Sequence, residues 1–275
     1  MVGKVVDVEQ ILLEKNPRLY KKLPRFAINY LKKILWEDEV NRLVNENDHL
    51  GGIDFCKKMI QEFNIDVEIF GIQNAPKKGG VIFASNHPLG GFDALAFVDQ
   101  FSKYRTDIKF LTNDILLNLK PLKDIFIGVN KHGSTSLSSF RKLDAVLENQ
   151  ESIVIFPSGF VSRKKNGVVM DLEWKKTFVT RARKHNVPIV PVHIKGELSP
   201  FFYWLSRIRE FLGIQANIEM LYLVNELFKQ KNSSIQIVFG EPIFPETLDV
   251  KERKDKDWAN YIRKIAFNLK DKLCV

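Results

Sequence analysis

From about residue 66 onward, short runs rich in Val, Ile and Phe alternate with stretches of helical period, and this alternation leaves few folds open. Seven runs read as strands: 67–70, 81–85, 108–111, 125–129, 153–156, 189–193 and 235–239. Helical stretches fall between or after them at 94–103, 114–119, 138–148, 174–184, 218–229 and 254–273. Strands alternating with helices predict an α/β domain with a mixed or parallel sheet flanked by helices. Residues 1–65 read differently, as an N-terminal helical segment ahead of a 66–275 α/β domain. There Leu23, Phe26, Ala27, Tyr30, Leu31, Ile34 and Leu35 follow the helical period, and Lys22, Arg25, Lys32 and Lys33 fall on the other side. Such a helix either lies in a lipid interface or packs its apolar stripe on the main domain.

Charge narrows the partners without choosing one. Against 33 Asp and Glu stand 42 Lys and Arg, a formal net charge of +9. A basic surface suits nucleic acid, anionic lipid headgroups or phosphorylated small molecules. The two cysteines, Cys56 and Cys274, are far apart and lack metal-ligand spacing, which argues against a disulfide framework or a zinc site and fits a reducing compartment. The N-terminus shows no signal-type apolar run, and no window approaches the roughly 18 apolar residues of a spanning helix. If this chain meets a membrane, it lies on it.

The most informative segment is Val81-Ile82-Phe83-Ala84-Ser85-Asn86-His87-Pro88-Leu89-Gly90-Gly91-Phe92-Asp93. A buried strand delivers Asn86 and His87 to its carboxyl end, where α/β sheets gather their ligands. Pro88 stops the strand, and Gly90 and Gly91 permit a tight turn or close approach of a ligand. Asp93 suits the N-cap of the next helix. A histidine so placed can move protons near neutral pH, and a carboxylate a few residues on can fold back to hold its tautomer. The plain alternative is a loop histidine followed by a capping aspartate.

A second strand runs into Phe156-Pro157-Ser158-Gly159-Phe160-Val161-Ser162-Arg163-Lys164-Lys165. Backbone N–H groups at that turn, with the Ser158 and Ser162 hydroxyls, Arg163 and Lys164, would cradle a phosphate; equally, this is a surface hairpin with solvated cations. Between the two segments lies 125–133, where Lys131 is a candidate point charge and His132 reads as an ordinary loop histidine. Residues 187–193 form a Pro-rich strand ending in His193, read as structural. Residues 198–205 are unusually aromatic, with Arg207 and Arg209 following, a pattern that suits a headgroup zone, a nucleic-acid stacking surface or a core helix.

Taken in order, these segments resemble the glycerolipid (lysophospholipid) acyltransferase family. The family's first block is Asn-His, four residues, then Asp; Asn86, His87 and Asp93 are similar, with five residues between His87 and Asp93, an extra one that the glycine pair would absorb. The form Asn-His-Pro-Leu-Gly-Gly-Phe-Asp resembles a bacterial branch. The second block resembles the family's Phe-Pro-Glu-Gly-Thr-Arg-Ser segment: Phe156, Pro157 and Gly159 match, Ser158 replaces the Glu, and Arg163 corresponds approximately to the arginine. Residues 125–129 and 187–193 resemble the family's two other blocks. The resemblance covers about 81–195.

It implies a glycerol-3-phosphate acyltransferase-like fold and a reaction without metal or cofactor. The acyl donor would be acyl-CoA or acyl carrier protein, and the acceptor a hydroxyl of a lyso-lipid. His87 and Asp93 would be catalytic. Asn86, Gly90, Gly91, Lys131, Ser158, Gly159, Ser162, Arg163 and Lys164 would bind substrate. Because Ser158 removes the family's negative charge, an acceptor other than lysophosphatidic acid is expected. The resemblance further implies a place on the cytoplasmic membrane face, in membrane lipid biosynthesis, with no nucleic-acid partner. Two rival readings stay open on the residues: a lipid-ester hydrolase, which lacks its Gly-x-Ser-x-Gly elbow here, and a non-catalytic protein that docks on anionic lipid.

Overall fold

The computed structural model describes residues 4–129 and 137–273. All seven predicted strands form and join one sheet. In chain order they are β1 (Asp66–Phe70), β2 (Val81–Ser85), β3 (Ile108–Asn113), β4 (Phe126–Val129), β5 (Ser152–Ile155), β8 (Ile189–Lys195) and β9 (Ser234–Phe239). The remaining two, β6 (Arg163–Lys165) and β7 (Val168–Met170), make a separate antiparallel hairpin, one of the two readings open for that segment. The large sheet runs β1-β9-β8-β2-β5-β3-β4. Neighbours are parallel except β8 and β9. The sheet is therefore mixed, as expected.

Central β2 shows why the sheet is two-faced. All five of its residues are buried, and successive side chains point to opposite faces. Val81 and Phe83 enter one core; Ile82 and Ala84 enter the other. The first core is closed by α5 (Gly52–Glu62) and α6 (Gly91–Phe101). Many of the chain's 21 Phe gather there: the Phe83 ring lies 5.0 Å from Phe101, 5.5 Å from Phe97 and 5.6 Å from Phe239. The second core is closed by α7 (Leu137–Glu148), α8 (Thr177–His185) and α11 (Asp255–Asn268), with Trp174, Phe178 and Trp258 buried in it.

The first 65 residues contribute α1 (Val8–Lys15), α2 (Pro17–Lys22), α3 (Arg25–Ile34), α4 (Glu37–Glu46) and α5. Phe55, Cys56, Met59 and Ile60 of α5 lie inside the first core, so this part of the N-terminal segment builds the sheet's own packing. Burial pushes the Cys56 thiol up, away from reactivity. In α3 the stripe splits. Ile28 and Ile34 are the buried positions, while Phe26 and Tyr30 face outward. The two remaining helices are α9 (Pro200–Phe211) and α10 (Leu223–Lys229), the latter entered through a 3-10 turn at 218–222.

His193 sits within β8, opposite Val238, as a structural residue. Burial pulls its imidazole down to about 4. The unfolded chain protonates this group below about 6.5, and the folded chain only below about 4. Stability is therefore unaffected by His193 above pH 6.5, and falls by about 3 kcal/mol as pH drops through that window. Thermal unfolding of His193→Leu is expected to lose most of this acid-side decline. An unchanged decline between pH 6.5 and 4 would assign the acid sensitivity elsewhere.

Candidate active site

β2 and β5 are parallel neighbours with Ala84 opposite Ile155, so the loops that follow them emerge side by side. That register brings the His87 and Phe156 segments together, although 68 residues separate them. The two rings stack, with centroids 4.1 Å apart and planes 17° from parallel. His87 Nδ1 lies 2.7 Å from Asp93 Oδ2. The imidazole is 20% exposed and Asp93 fully buried, so the ring stands between a buried carboxylate and the surface.

Closing that contact takes a particular turn. Gly90 has φ +71° and ψ −123°, a conformation that side chains oppose. A Cβ on Gly91 would press to 3.0 Å from Leu227 of α10. The turn between His87 and Asp93 is thus built on the glycine pair. Asp93 does not cap the helix. The cap position is Gly90, and Asp93 is the third residue of α6, where the helix dipole favours a negative charge. Its Oδ2 also accepts the Leu89 N–H at 3.0 Å. Burial raises the Asp93 carboxyl above the ordinary carboxylate value, against the His87 ring and the Leu89 N–H. A carboxylate with raised proton affinity accepts strongly from Nδ1–H, which leaves Nε2 as the basic nitrogen.

Asn86 was expected to touch substrate, and its amide is instead spent within the fold. Its Nδ2 donates to the Ile194 carbonyl at 2.8 Å, and its Oδ1 accepts the Ile194 N–H at 2.7 Å. β8 runs on past the end of β2, and Asn86 continues the pairing with a side chain where the strand has stopped. It holds the base of the His87 loop.

Several expected binders in the second block are likewise structural. The Ser158 hydroxyl donates to the Phe160 carbonyl at 2.7 Å and closes its own turn. The Ser162 hydroxyl donates to Asp171 at 2.5 Å. Arg163 is only 4% exposed. Its Nη2 pairs with Glu219 at 2.7 Å, Nη1 donates to the Val161 carbonyl at 2.6 Å, and the guanidinium lies 5.4 Å from the Phe202 ring. Arg209 contacts the other Glu219 oxygen at 2.9 Å. Glu219 is fully buried between these two arginines, so the Arg163 guanidinium, expected to bind phosphate, is committed to an ion pair inside the fold. Gly159 is exposed, with φ +69°. Lys164 is part-exposed and pairs with Glu197 at 2.8 Å, a surface bond that opens at little cost. Lys131 and His132 lie outside the described residues.

Asp171 is not among the residues expected to act at the site, yet it meets the catalytic loop. The β6–β7 hairpin folds it back beneath His87. One Asp171 oxygen accepts the His87 N–H at 3.3 Å and the Ser162 hydroxyl; the other accepts Trp174 Nε1–H at 2.8 Å. The Ser162 N–H returns to the His87 carbonyl at 2.8 Å. Asp93 therefore holds the His87 ring, and Asp171 with Ser162 holds its backbone. Burial raises the Asp171 carboxyl too, against these donors. The sequence signal was faint: an aspartate between apolar residues, beside a tryptophan that needs an acceptor.

Comparison with known proteins meets this geometry from the other side. An acyltransferase family model matches residues 10–275. A lyso-glycine lipid O-acyltransferase of Bacteroides thetaiotaomicron is 39% identical over 266 residues, covering 96% of this chain and 97% of that protein. One of the same description from Phocaeicola vulgatus is 38% identical, covering 96% and 95%. Among solved structures, the 1-acyl-sn-glycerophosphate (LPA) acyltransferase PlsC of Thermotoga maritima superposes with a TM-score of 0.53 at 17% identity, over 88% of this chain and 95% of that one, and so shares the fold. With a family match running almost from end to end and two relatives aligned along nearly their whole lengths, this chain belongs to the acyltransferase family, and its chemistry is O-acyl transfer.

Proposed function

We propose that the chain moves a fatty acyl group from acyl-CoA or acyl carrier protein to the hydroxyl of a glycine-based lyso-lipid, in membrane lipid biosynthesis on the cytoplasmic membrane face. The observation that carries the chemistry is the 2.7 Å contact between His87 Nδ1 and Asp93 at the tip of a central strand, with the imidazole at the surface. His87 Nε2 takes the proton of the acceptor hydroxyl as its oxygen attacks the thioester carbonyl. Asp93 steadies the imidazolium that forms. The tetrahedral oxyanion is met by N–H groups at the start of α6, where Gly91 is exposed and the helix dipole is positive. The C–S bond then breaks, and His87 returns its proton to the departing thiolate. The products are an ester and a free thiol, and no acyl-enzyme is required.

Three observations support a head other than glycerol phosphate. The relatives at 39% and 38% identity carry the description lyso-glycine lipid O-acyltransferase. Ser158 stands where the family has Glu. Arg163, the nearest counterpart of a phosphate-binding arginine, is held by Glu219. The test offers the purified protein a radiolabelled acyl thioester with either a lyso-glycine lipid or lysophosphatidic acid. The glycine acceptor is expected to win by about tenfold or more in kcat/KM, a difference of roughly 1.4 kcal/mol. Preference for the phosphate acceptor would overturn the acceptor assignment, and thioester hydrolysis without an ester product would favour the hydrolase reading.

A further inference from the structure

Resting on the glycine-lipid reading, we infer that Lys175 Nζ binds the carboxylate of the acceptor's head. Glycine has no hydroxyl of its own, so the hydroxyl that accepts the acyl group sits on the lipid's chain. With that chain joined through the glycine nitrogen, the head ends in a free carboxylate, ionised at neutral pH. Such a head needs a cation near the His87 ring. Arg163 is committed to Glu219 and Lys164 to Glu197. Lys175 has no such commitment.

Lys175 meets the second block at two points. Its backbone N–H donates to the Pro157 carbonyl at 3.0 Å. Its Nζ lies over Gly159, where a Cβ would stand 3.6 Å from it. Gly159 is exposed and takes φ +69°, so the ammonium sits beside bare backbone on the open side of the turn. That turn begins at Phe156, whose ring stacks on His87 with centroids 4.1 Å apart. From the other direction, Trp174 Nε1–H donates to Asp171, which accepts the His87 N–H. Lys175 is therefore tied to the catalytic loop twice, through Phe156-Pro157 and through Trp174.

The placement of this charge costs the fold something. Lys176 is the N-cap of α8 and Lys175 precedes it, at the helix's positive end, where cations are disfavoured. The first turn of α8 holds no acidic residue, and no side chain closes its cap. Both lysines are exposed. Glu173, the acid nearest to them in sequence, pairs with Lys256 at 2.8 Å, and among the described residues no carboxylate pairs with either lysine. A local rule broken without a compensating contact marks a functional position. A bound anion supplies that contact and relieves the repulsion. An ammonium on a flexible stem suits a small, singly charged head, since it asks for no fixed paired geometry.

The test measures acyl transfer by the full chain and by Lys175→Gln to two acceptors: the lyso-glycine lipid with its free carboxylate, and the same lipid with that carboxylate converted to a primary amide. On the carboxylate acceptor Lys175→Gln is expected to lose about tenfold or more in kcat/KM, carried mainly by KM, with little change on the amide. The parent enzyme should lose a similar factor between the two acceptors, and Lys175→Arg should recover most of the loss on the carboxylate. Lys175→Gln should melt no lower than the parent, since it removes a cation from the positive end of α8. Equal loss on both acceptors, or no loss on either, overturns the assignment, as does a loss carried by kcat alone. A parent enzyme that prefers lysophosphatidic acid overturns the glycine-lipid reading itself and the carboxylate assignment with it, whereas the behaviour of the variant overturns only the latter.

Discussion

Replacing His87 with Ala is expected to lower kcat by about 10²- to 10⁴-fold, the range a positioned general base contributes. The effect is chemical because the ring is part-exposed and carries little of either core. It has a second consequence at Asp93. Without the imidazole, this buried carboxyl keeps the Leu89 N–H as its neighbour and loses the ring donor. Its proton affinity, already raised by burial, then rises further. A folded-state carboxyl raised above its unfolded value contributes stability at low pH and loses it as pH climbs through the folded value. The variant should therefore melt below the parent at neutral pH, and the gap should narrow on acidification. Activity within about threefold of the parent, well short of the general-base range, would remove His87 from the mechanism.

Replacing Asp171 with Ala should be nearly as damaging, by a different route. Three buried donors lose their acceptor at once: the His87 N–H, the Ser162 hydroxyl and Trp174 Nε1–H. Leaving such groups unpaired is expected to cost about 3–5 kcal/mol in all. Asp171→Asn is the gentler variant, because one oxygen still accepts from Ser162 and His87. It removes a negative charge beside the catalytic imidazole, with which the Asp171 carboxyl interacts favourably. kcat should fall by about tenfold, because the charge that faces the imidazolium formed in the reaction is gone. A merely structural aspartate would lower stability and leave kcat of the folded enzyme in place. KM for the acceptor should change little, since Asp171 touches the loop backbone rather than substrate.

Much of the architecture was legible because its signals are local. Buried strands announce themselves as short β-branched runs, and all seven predicted runs joined one sheet. The His87 loop was legible for the same reason: strand, proline and paired glycines are consecutive in the chain. What stayed open were the places where a local pattern had several global solutions. In α3 the helical period identified an apolar stripe but could not say which part of it would be covered, and the structure buries Ile28 and Ile34 while exposing Phe26 and Tyr30. The aromatic segment at 198–205 answered to core and surface readings at once, because α9 serves both.

By itself, the order of residues determined the strands, the two-faced period of β2 and the presence of an imidazole and a carboxylate within one turn of each other. Those properties depend on neighbours a few positions apart. Only tertiary structure decided that β5 lies beside β2, that Arg163 turns to Glu219 rather than outward, and that Asp171 closes beneath His87. Each of these is a pairing between residues far apart in the chain, chosen by strand register and by the cost of burying a charge or a donor alone. No local pattern carries that information, because the partner is known only once the chain has folded.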